Sequence, residues 1–441
     1  MIVMKFGGTS LGSPARIRNC AQIVLDRIAK KPLVVCSAMS GITDELIGAA
    51  RSALEGEVEA PFRSIRTRHL ETLEEMGLPM KLVTGELQRL HELLSGISLV
   101  KELTPRTLDF VMSFGEMLSH KVFAAQLREM GAAAEAIPSY ELGFLTDSQF
   151  SRAQVLGETY KNIPEKLAGR HEQAVVVTTG FIGRNHRGEV TTIGRSGSDY
   201  TAAVFGAALG AEEIQIWKDV DGVMTADPHV IEAARLLEIM SFAEAGELAY
   251  YGAEVLHPST IAPAVRRDIP VRVLNTLKKD QPGTVIVKGP CLEPPIKSVV
   301  YKENLCLIDI FSSRMLMEKG FMARVFNIFD KHGVVIDMIA TSEVSLSMTT
   351  DREEGLDAAF EEIEEFAEAK VEKGQCIVCM VGEGLAGQVG VAARVFGAVR
   401  DAGVNVRMIS QGAREINIAF LIRNEDIDRT VRALHREFFE K

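Results

Sequence analysis

The sequence predicts an α/β protein with a mainly parallel central sheet, followed by two ferredoxin-like βαββαβ modules. The first part of this prediction rests on short apolar runs that alternate with helix-like stretches through residues 1–290, a pattern typical of layered α/β folds. The second part rests on an internal repeat, because Ala323–Phe326 recurs 70 residues later as Ala393–Phe396. A chain of 441 residues is long enough for more than one domain of about 150 residues.

The apolar runs of the first part predict strands, and the stretches between them predict helices. Strands are expected at Ile2–Phe6, Leu33–Ser37, Ala174–Thr178, Glu213–Trp217, Val271–Leu274 and Thr284–Val287. Helices are expected at Ala15–Lys30, Thr107–Met130 and Thr201–Leu209. Residues 51–104 are charged and helical in pattern without a strand, which predicts a helical excursion over one face of the sheet.

A proline-rich segment separates the two parts, because Pro290, Pro294 and Pro295 cannot all sit inside a regular element. After it, each repeat copy reads strand, glycine turn, helix and two further strands, and Leu356–Ile363 supplies a second helix. We therefore predict an α/β domain at 1–289, a linker at 290–304, and modules at 305–375 and 376–441.

The composition excludes several classes of function. A net charge of −11 without a basic stripe argues against a nucleic-acid partner. No apolar run approaches the roughly 18 residues that a membrane span requires, and the chain enters a strand too early for a signal peptide. Six scattered cysteines fit a reducing, cytoplasmic compartment. Cys376 and Cys379 have the spacing of a zinc pair, but their strand-like context favours buried thiols, so we expect no metal site.

The first candidate site is Lys5–Ser10, where a strand runs into paired glycines. Glycines let a ligand approach the backbone N–H groups, and Lys5, Thr9 and Ser10 add a positive charge and hydroxyl donors suited to phosphate. The lysine precedes the glycines, so this is not a Walker A loop. Taken alone, Gly-Gly after a strand is more often a plain turn.

A second glycine-rich motif changes that balance. Gly194–Asp199 leads into a helix of small residues, Ser198 or Asp199 is a natural N-cap, and a helix N-terminus attracts anions. The alternative is an ordinary capped loop with Arg195 in solvent. For this alternative to hold, the Lys5 and Arg195 motifs would both have to be plain structural turns, and we regard that as the weaker interpretation.

Two further polar stretches follow predicted strands. Ser37–Asp44 is small and hydroxylated, and Trp217–Pro228 combines Lys-Asp, an Asp-Gly turn and an Asp-Pro breaker. Because ligands in open α/β sheets bind beyond the carboxyl ends of strands, these stretches and the two glycine motifs are expected to form one pocket.

In this order, the motifs resemble those of the aspartate kinases, a branch of the amino acid kinase family with C-terminal tandem ACT domains. The resemblance spans essentially the whole chain, and the 70-residue repeat is similar to the paired ACT domains of the monofunctional enzymes. The matching stretches are Lys5–Ser10, Ser37–Thr43, Ser113–Ser119, Thr179–Gly183, Gly194–Tyr200, Trp217–Pro228 and Gly252–Pro258.

The resemblance implies transfer of the γ-phosphoryl group of ATP, with Mg²⁺ on its phosphates, to the side-chain carboxylate of L-aspartate. The product would be 4-phospho-L-aspartate, the first intermediate toward lysine, threonine and methionine. A carboxylate with a pKa near 4 is already ionised at neutral pH, so no general base is required. Catalysis must instead come from positioning and from neutralising two anions.

The resemblance also assigns roles to residues. Lys5 and Asp199 are expected to be catalytic, with Lys5 neutralising the transferring group. Glu116 and Asp199 would hold the ammonium group of aspartate, and Arg195 would hold its α-carboxylate. Thr43 and Ser37 would contact the reacting carboxylate. The alternative interpretation of Glu116 is an exposed charge on a helix. The expected substrate-binding set is Ser37, Thr43, Glu116, Arg195 and Ser198, and the expected ATP-binding set is Lys5, Gly7, Gly8, Thr9, Ser10, Lys218, Asp219 and Met224.

Three residues depart from the family pattern at the nucleotide edge. Glu254 stands where the family often has lysine, and His229 stands where it often has arginine. Met224 replaces a common aromatic residue, which weakens any expectation of ring stacking on the nucleotide.

For regulation, the resemblance implies that the first ACT domain binds lysine. Asp337 and Glu343 are acidic, as a ligand with two ammonium groups requires, although Asp337 could simply cap a strand end. The second copy has Arg407 in place of Asp337, so the two modules are expected to differ in role. We expect a homodimer or homotetramer built through the ACT domains, and an effector site formed by Met315, Gly320, Phe321, Met322, Asp337, Thr341, Ser342 and Glu343.

Two competing functions stay open at this point. Another amino acid kinase, such as a glutamate 5-kinase, would prefer glutamate over aspartate. A non-catalytic amino-acid sensor would retain the scaffold without turnover, although intact Lys5, Glu116, Arg195 and Asp199 argue against it. A fusion to homoserine dehydrogenase is disfavoured, because the chain stops after the second repeat.

Overall fold

A computed structural model describes residues 1–252, 256–313, 315 and 319–440. The described chain divides into two compact units. The first comprises residues 1–223 and 256–288, and the second comprises residues 224–252 and 289–440. Residues 224–252 thus group with the second unit although they lie within the predicted range 1–289.

The helices and strands are numbered in chain order. The α-helices are α1 Pro14–Leu25, α2 Ile42–Leu54, α3 Glu59–Met76, α4 Lys81–Val100, α5 Pro105–Glu129, α6 Thr159–Leu167, α7 Arg170–Gln173, α8 Gly197–Leu209, α9 Phe242–Tyr250, α10 Pro258–Arg266, α11 Phe321–Lys331, α12 Leu356–Ile363, α13 Val391–Asp401 and α14 Ile427–Phe439. The strands are β1 Ile2–Phe6, β2 Leu33–Cys36, β3 Ala134–Ala136, β4 Val175–Thr179, β5 Ile182–Arg184, β6 Val190–Thr192, β7 Glu213–Lys218, β8 Ile239–Ser241, β9 Val271–Asn275, β10 Thr284–Val287, β11 Ser298–Phe311, β12 Ile339–Thr341, β13 Ser345–Thr350, β14 Glu368–Val381, β15 Met408–Ser410 and β16 Asn417–Arg423.

The first unit is built on a mainly parallel sheet, as the sequence predicts. Its strands lie in the order β3-β4-β2-β1-β7-β9-β10, with β1 central and parallel to both β2 and β7. Lys5 is in register with Val35 and Ile216, so the carboxyl ends of these strands meet at one edge. Strand β10 runs antiparallel to its neighbour β9.

The buried face of β1 packs on helices as an apolar run requires. Phe6 stacks on Phe123 of α5 and on Trp217 of β7, with ring centroids 5.4 Å and 6.2 Å apart. Helix α5 begins with Thr104 capping the Thr107 N–H and with Pro105 at the first helical position, where its missing N–H costs nothing. This long buried helix carries the side chains that matter below.

Helix boundaries differ from the predictions in two informative places. The predicted helix Ala15–Lys30 ends at Leu25, and a separate 3₁₀ turn covers Ile28–Lys30. Helix α8 begins at Gly197, four residues before the predicted start at Thr201. The predicted helical excursion at 51–104 is present as the end of α2 with α3 and α4.

The second unit contains one six-stranded antiparallel sheet in the order β12-β13-β11-β14-β16-β15. Strands β11 and β14 are each 14 residues long and pair along both halves of their length, with an irregular register between Lys302 and Leu307. The two repeat copies therefore share their central strands, instead of forming two separate four-stranded sheets.

This sharing changes the place of the predicted linker. Residues 298–302, which the predicted linker 290–304 includes, form the first half of β11 and pair with Ile377–Val381. They complete the sheet of the second repeat copy, in which residues 376–441 supply the end of β14 together with β15 and β16. No α-helix in the described part of the chain is long and apolar enough to cross a membrane.

Candidate active site

A buried carboxylate held between two lysines lies at the carboxyl edge of the parallel sheet. Lys5 Nζ lies 2.6 Å from Asp199 Oδ1, and Lys218 Nζ lies 3.5 Å from Asp199 Oδ2. Lys5 is the penultimate residue of β1, Lys218 is the last residue of β7, and Asp199 lies in the first turn of α8. Three segments that are distant in the sequence thus form one charged cluster.

The electrostatics of this cluster favour an ionised Asp199. Burial alone would raise the pKa of Asp199, but the ammonium groups of Lys5 and Lys218 outweigh it and hold the pKa below its usual value. One buried carboxylate faces two cations, so a net positive charge remains at the edge of the sheet. Such an edge is suited to the anionic oxygens of a phosphate chain.

The start of α8 corrects one prediction. Ser196 is the N-cap residue, in a left-handed conformation with φ of 55°, and it makes no side-chain capping bond. Ser198 and Asp199 both lie inside the helix, so neither caps it. Asp199 is therefore free to point at the lysines, and Ser198 packs where a Cβ on Gly180 would lie 2.5 Å from its Oγ.

The glycine loop after β1 is tightly packed, so its predicted role of offering free backbone N–H groups to phosphate is wrong at Gly7. The Gly7 N–H donates to the Trp217 carbonyl at 3.2 Å, so it is already occupied. A Cβ on Gly8 would lie 2.9 Å from the Ala38 carbonyl oxygen, which explains why a residue without a side chain stands there. Thr9 is exposed, whereas Ser10 is buried with its Oγ 3.3 Å from Thr276 Oγ1.

Glu116 is a buried acid with one unsatisfied oxygen. Its Oε1 accepts the Ala38 N–H at 3.0 Å, and its Oε2 is buried without a hydrogen-bond partner among the described residues. Burial raises the pKa of Glu116 to about 8. The alternative of an exposed helical charge is thereby wrong, since the residue is 3% exposed.

The loop after β2 lies beside Glu116. The Ser119 hydroxyl donates to the Ser37 carbonyl at 2.6 Å, and the Ser37 N–H donates to the Phe6 carbonyl at 3.2 Å. Ser37 is half-buried there, and Thr43 is half-buried in the first turn of α2. The carboxyl ends of β1 and β2 and the inner face of α5 therefore meet at one place.

Arg195 lies at the surface close in sequence to the cluster. It is exposed, and it has no hydrogen bond or ion pair within the part of the chain that the structure describes. Asp199, whose carboxylate contacts Lys5, follows only four residues later. The short connection keeps Arg195 at the same end of the sheet as Lys5.

The predicted nucleotide edge is only partly assembled within the first unit. Lys218 belongs to the cluster, Asp219 is exposed, and Met224 lies in the second unit, where it forms a bridge with Leu236. His229 is also in the second unit, with its ring 3.0 Å from Asp227 Oδ1. Glu254 lies outside the described residues.

Thr276 is a residue of this edge that the sequence analysis missed. It follows β9, its N–H and hydroxyl both donate to the Lys218 carbonyl, at 2.8 Å and 3.0 Å, and it meets Ser10. The rule that polar residues follow strand ends, applied to β1, β2 and β7, would have found it after the predicted strand Val271–Leu274.

In the second unit, Asp337 is already paired with a cation of the same chain. Lys302 Nζ lies 2.8 Å from Asp337 Oδ1 and 3.0 Å from Asp351 Oδ2, and the Tyr250 hydroxyl donates to the Asp337 carbonyl at 3.0 Å. Asp337 Oδ2 remains buried without a hydrogen-bond partner among the described residues. Asp337 therefore does not simply cap a strand end, because it pairs with Lys302 through one oxygen and keeps the other oxygen available to accept a hydrogen bond.

The other predicted effector residues lie at the start of α11, at the β12–β13 turn and at Met315, all in the second unit. Gly320 has φ of 90° and precedes α11, which starts with buried Phe321 and exposed Met322. Thr341, Ser342 and Glu343 are exposed at the β12–β13 turn, where the Ser342 and Ser345 hydroxyls are 2.7 Å apart. Met315 packs against the apolar core beneath α11, while residues 314 and 316–318 lie outside the described residues.

His, Cys, Asp and Glu side chains are the usual protein ligands of metal ions. Within the described ranges, no group of three or more His, Cys, Asp or Glu residues is arranged to hold a metal ion. Cys376 and Cys379 are buried in β14, where burial raises the pKa of both thiols.

Comparison with known proteins places this geometry in a family. The amino acid kinase family model matches residues 1–275, and an ACT domain model matches residues 308–365 and 378–438. The chloroplastic aspartokinase 2 of Arabidopsis thaliana is 41% identical, over 99% of this chain and 84% of that protein.

Two crystal structures of Escherichia coli aspartokinase III are also similar to this chain. One, in complex with aspartate and ADP, has 34% identity and a TM-score of 0.81, and covers 100% of both chains. The other, in complex with lysine and aspartate, has 35% identity and a TM-score of 0.85, and covers 100% of this chain and 99% of that one. With its parallel-sheet unit, its ACT repeat and relatives of this similarity along its whole length, the chain belongs to the aspartokinases of the amino acid kinase family.

Proposed function

We propose that this protein transfers the γ-phosphoryl group of ATP to the side-chain carboxylate of L-aspartate, giving 4-phospho-L-aspartate. The observation that carries the proposal is the Lys5–Asp199–Lys218 cluster at the carboxyl edge of the sheet, in a chain of this family. The E. coli structure that holds aspartate and ADP supports the same pair of ligands here. In this proposal the first unit carries catalysis, and the two ACT repeat copies of the second unit carry regulation.

The chemistry needs charge neutralisation more than proton transfer. The acceptor is a carboxylate that is ionised at neutral pH, so it attacks phosphorus without a general base. Two anions must approach each other, and Lys5 supplies a compact positive charge for the transferring group. Asp199 fixes the direction of the Lys5 ammonium, and Lys218 binds the remaining phosphate oxygens.

Mg²⁺ fits this site only as part of the nucleotide. The described side chains contain no carboxylate cluster that could hold the ion by itself. When bound, Mg²⁺ would neutralise charge on the ATP phosphates. Asp219, the exposed carboxylate of the nucleotide edge, would help to hold that ion.

Glu116 and Arg195 account for recognition of the amino acid. The buried Glu116 Oε2 lacks a partner, and the ammonium group of aspartate would satisfy it. The Arg195 guanidinium is exposed and can grip the α-carboxylate with two parallel hydrogen bonds. Ser37 and Thr43 then face the reacting carboxylate. Asp199 is occupied by the lysines, so we assign the ammonium to Glu116 alone.

The decisive experiment is a phosphoryl-transfer assay with ATP, Mg²⁺ and either aspartate or glutamate, trapping the acyl phosphate with hydroxylamine. We expect hydroxamate from aspartate, and a kcat/KM for glutamate at least about a hundredfold lower, because one extra methylene moves the reacting carboxylate out of line. A preference for glutamate would favour a glutamate kinase, and ATP-dependent product from neither would favour an amino-acid sensor.

We further propose that lysine inhibits the protein through Asp337 in the first ACT repeat. The E. coli structure with lysine and aspartate supports lysine as the ligand, and the partnerless Asp337 Oδ2 suits an ammonium group. In this chain the Lys302 ammonium already contacts the other carboxylate oxygen. It neutralises part of the Asp337 charge and repels a second ammonium group, so it competes electrostatically with an incoming lysine. Pairing of ACT domains into a homodimer or homotetramer is part of the same proposal.

Replacing Lys302 with methionine should make the protein more sensitive to lysine. Lys302→Met keeps an unbranched side chain, one atom shorter, and removes the competing charge, so the lysine concentration for half-inhibition should fall about tenfold. The measurement is a lysine titration of kinase activity at fixed ATP and aspartate.

Lys373→Met is the matched control, because Lys373 is paired with Glu353 at the exposed surface of the same sheet. It should leave the half-inhibitory concentration unchanged. Half-inhibition that is equal in the Lys302→Met and wild-type proteins would contradict the competition. Wild-type activity that is insensitive to millimolar lysine would contradict the effector itself.

A further inference from the structure

Asp109 is a buried carboxylate that lies outside the cluster of lysines. It projects from α5 and is completely buried. Both of its oxygens accept the Ser151 N–H, at 3.0 Å and 2.9 Å, and Oδ1 also faces the Ser151 hydroxyl at 3.3 Å. Thr192 donates its N–H to Oδ2 at 2.8 Å and its hydroxyl to Oδ1 at 2.9 Å. All of these partners are donors, so the site is built for a carboxylate.

The two partners of Asp109 lie on the segments that precede and brace Arg195. Thr192 is the last residue of β6, three residues before Arg195. Ser151 lies against the same turn, because a Cβ on Gly194 would lie 3.3 Å from the Ser151 carbonyl oxygen. The Ala153 N–H donates to the Thr192 carbonyl at 2.9 Å and joins the two segments directly.

The backbone around Arg195 is held in conformations that cost free energy. Ser151 has φ of 70°, Phe181 has φ of 63° and Ser196 has φ of 55°, and none of them is glycine. The Ile193 N–H donates to the Phe181 carbonyl at 3.1 Å, so these strained residues belong to one connected network. Left-handed non-glycine residues persist only where the surroundings impose them. At Ser151, the Asp109 carboxylate imposes the left-handed conformation by accepting the backbone N–H.

We infer that Asp109 is a positioning residue for substrate binding: its carboxylate fixes the loop that presents Arg195 to the α-carboxylate of the amino acid. The inference rests on the proposed role of Arg195. Asp109 does not touch the substrate, and it acts by limiting the conformations of residues 192–196. Loss of its hydrogen bonds releases that loop, and Arg195, which has no other anchor among the described residues, loses its preset direction.

Asp109→Asn is the informative variant. Asparagine keeps the shape of the side chain but replaces one acceptor oxygen with an NH₂ group, which is a donor. The Ser151 and Thr192 N–H groups then share a single acceptor oxygen in place of two. We expect the KM for aspartate to rise about thirtyfold, while kcat and the KM for ATP change by less than about threefold. Asp147→Asn is the matched control, since Asp147 uses a single oxygen to accept the N–H groups of Gln149 and Gln154 in the same loop. It should retain the wild-type KM.

The same variants in an Arg195→Ala background separate the inference from the proposed function. If Asp109 acts through Arg195, Asp109→Asn should cause no further rise in the aspartate KM once the guanidinium is absent. An equal rise in both backgrounds, or a wild-type KM in Asp109→Asn alone, would overturn the inference. An unchanged aspartate KM in Arg195→Ala would instead overturn the proposed role of Arg195.

Thr192→Val covers the case in which Asp109→Asn does not fold. It deletes only the hydroxyl bond to Oδ1 and leaves the backbone N–H in place. A smaller rise in the aspartate KM, about threefold, is expected from the loss of one hydrogen bond. A folded Thr192→Val protein with wild-type KM would count against Asp109 as strongly as the asparagine variant.

Discussion

Lys5→Ala should lower kcat about a thousandfold, because it removes the positive charge that faces the transferring phosphoryl group. The KM for aspartate should change far less, since Lys5 acts on the transition state more than on the bound substrate. Asp199 stays paired with Lys218 in the variant, so no buried carboxylate is left without a cation. The measurement is steady-state kinetics with ATP, Mg²⁺ and aspartate, together with a thermal unfolding curve.

Lys121→Ala serves as the control for the loss of a lysine. The Lys121 ammonium is paired with Glu86 away from the cluster, and its loss should leave kcat within about twofold of wild type. A folded Lys5→Ala protein with wild-type kcat would remove the cluster from the mechanism.

Glu116→Gln should raise the KM for aspartate about a hundredfold, because a buried carboxylate that pairs with the ammonium group becomes a neutral amide. The pH dependence provides a second readout. With a pKa of about 8, only about a tenth of Glu116 is ionised at pH 7 before substrate binds. The wild-type KM for aspartate should therefore fall as the pH rises from 6.5 to about 8, and that slope should vanish in Glu116→Gln.

Ionisation of Glu116 favours substrate binding but lowers the stability of the folded protein. Because the pKa of Glu116 is raised from 4.5 to about 8 on folding, the folded protein binds this proton more tightly than the unfolded chain does. The stability associated with Glu116 is fully present below pH 4.5 and is lost as the pH rises through 8, by roughly 3 kcal/mol at pH 7.

Glu116→Gln should accordingly have a higher Tm than wild type at pH 8 and an equal Tm near pH 4.5. Glu86→Gln, which alters an acid paired with Lys121, is the control for both measurements. A pH-independent wild-type KM for aspartate, or a Tm that falls in Glu116→Gln at pH 8, would contradict the assignment.

The positions of the main strands along the chain and the polar residues at their ends could be predicted from the sequence, whereas the order of the strands within the sheet was not predicted. A buried parallel strand is a continuous apolar run, and polar or glycine residues must follow it where the chain leaves the core. That rule located Lys5 near the end of β1, Ser37 after β2 and Lys218 at the end of β7. The 70-residue repeat likewise predicted the helix–strand order of the second unit, because each copy carries its own periodicity.

Partners that lie far apart in the chain were not predictable in the same way. The sequence favoured Asp199 as a helix cap and as a substrate ligand, whereas the structure turns it toward Lys5 and Lys218. It also placed residues 298–302 in a linker, because nothing local reveals that β14 has an unpaired half. Asp109 carries no motif at all, only a charge in an otherwise apolar helical stretch.

The amino-acid sequence by itself therefore determined the main strands and helices, their succession along the chain and the chemical types present at the ends of the strands. These follow from local rules of burial, periodicity and backbone geometry that act over a few residues. Tertiary structure alone decided which charges meet, which N–H groups are already occupied, and that Glu116 keeps one oxygen unsatisfied in a buried place. Pairing and desolvation depend on distances between segments separated by tens to hundreds of residues, and no local pattern encodes those distances.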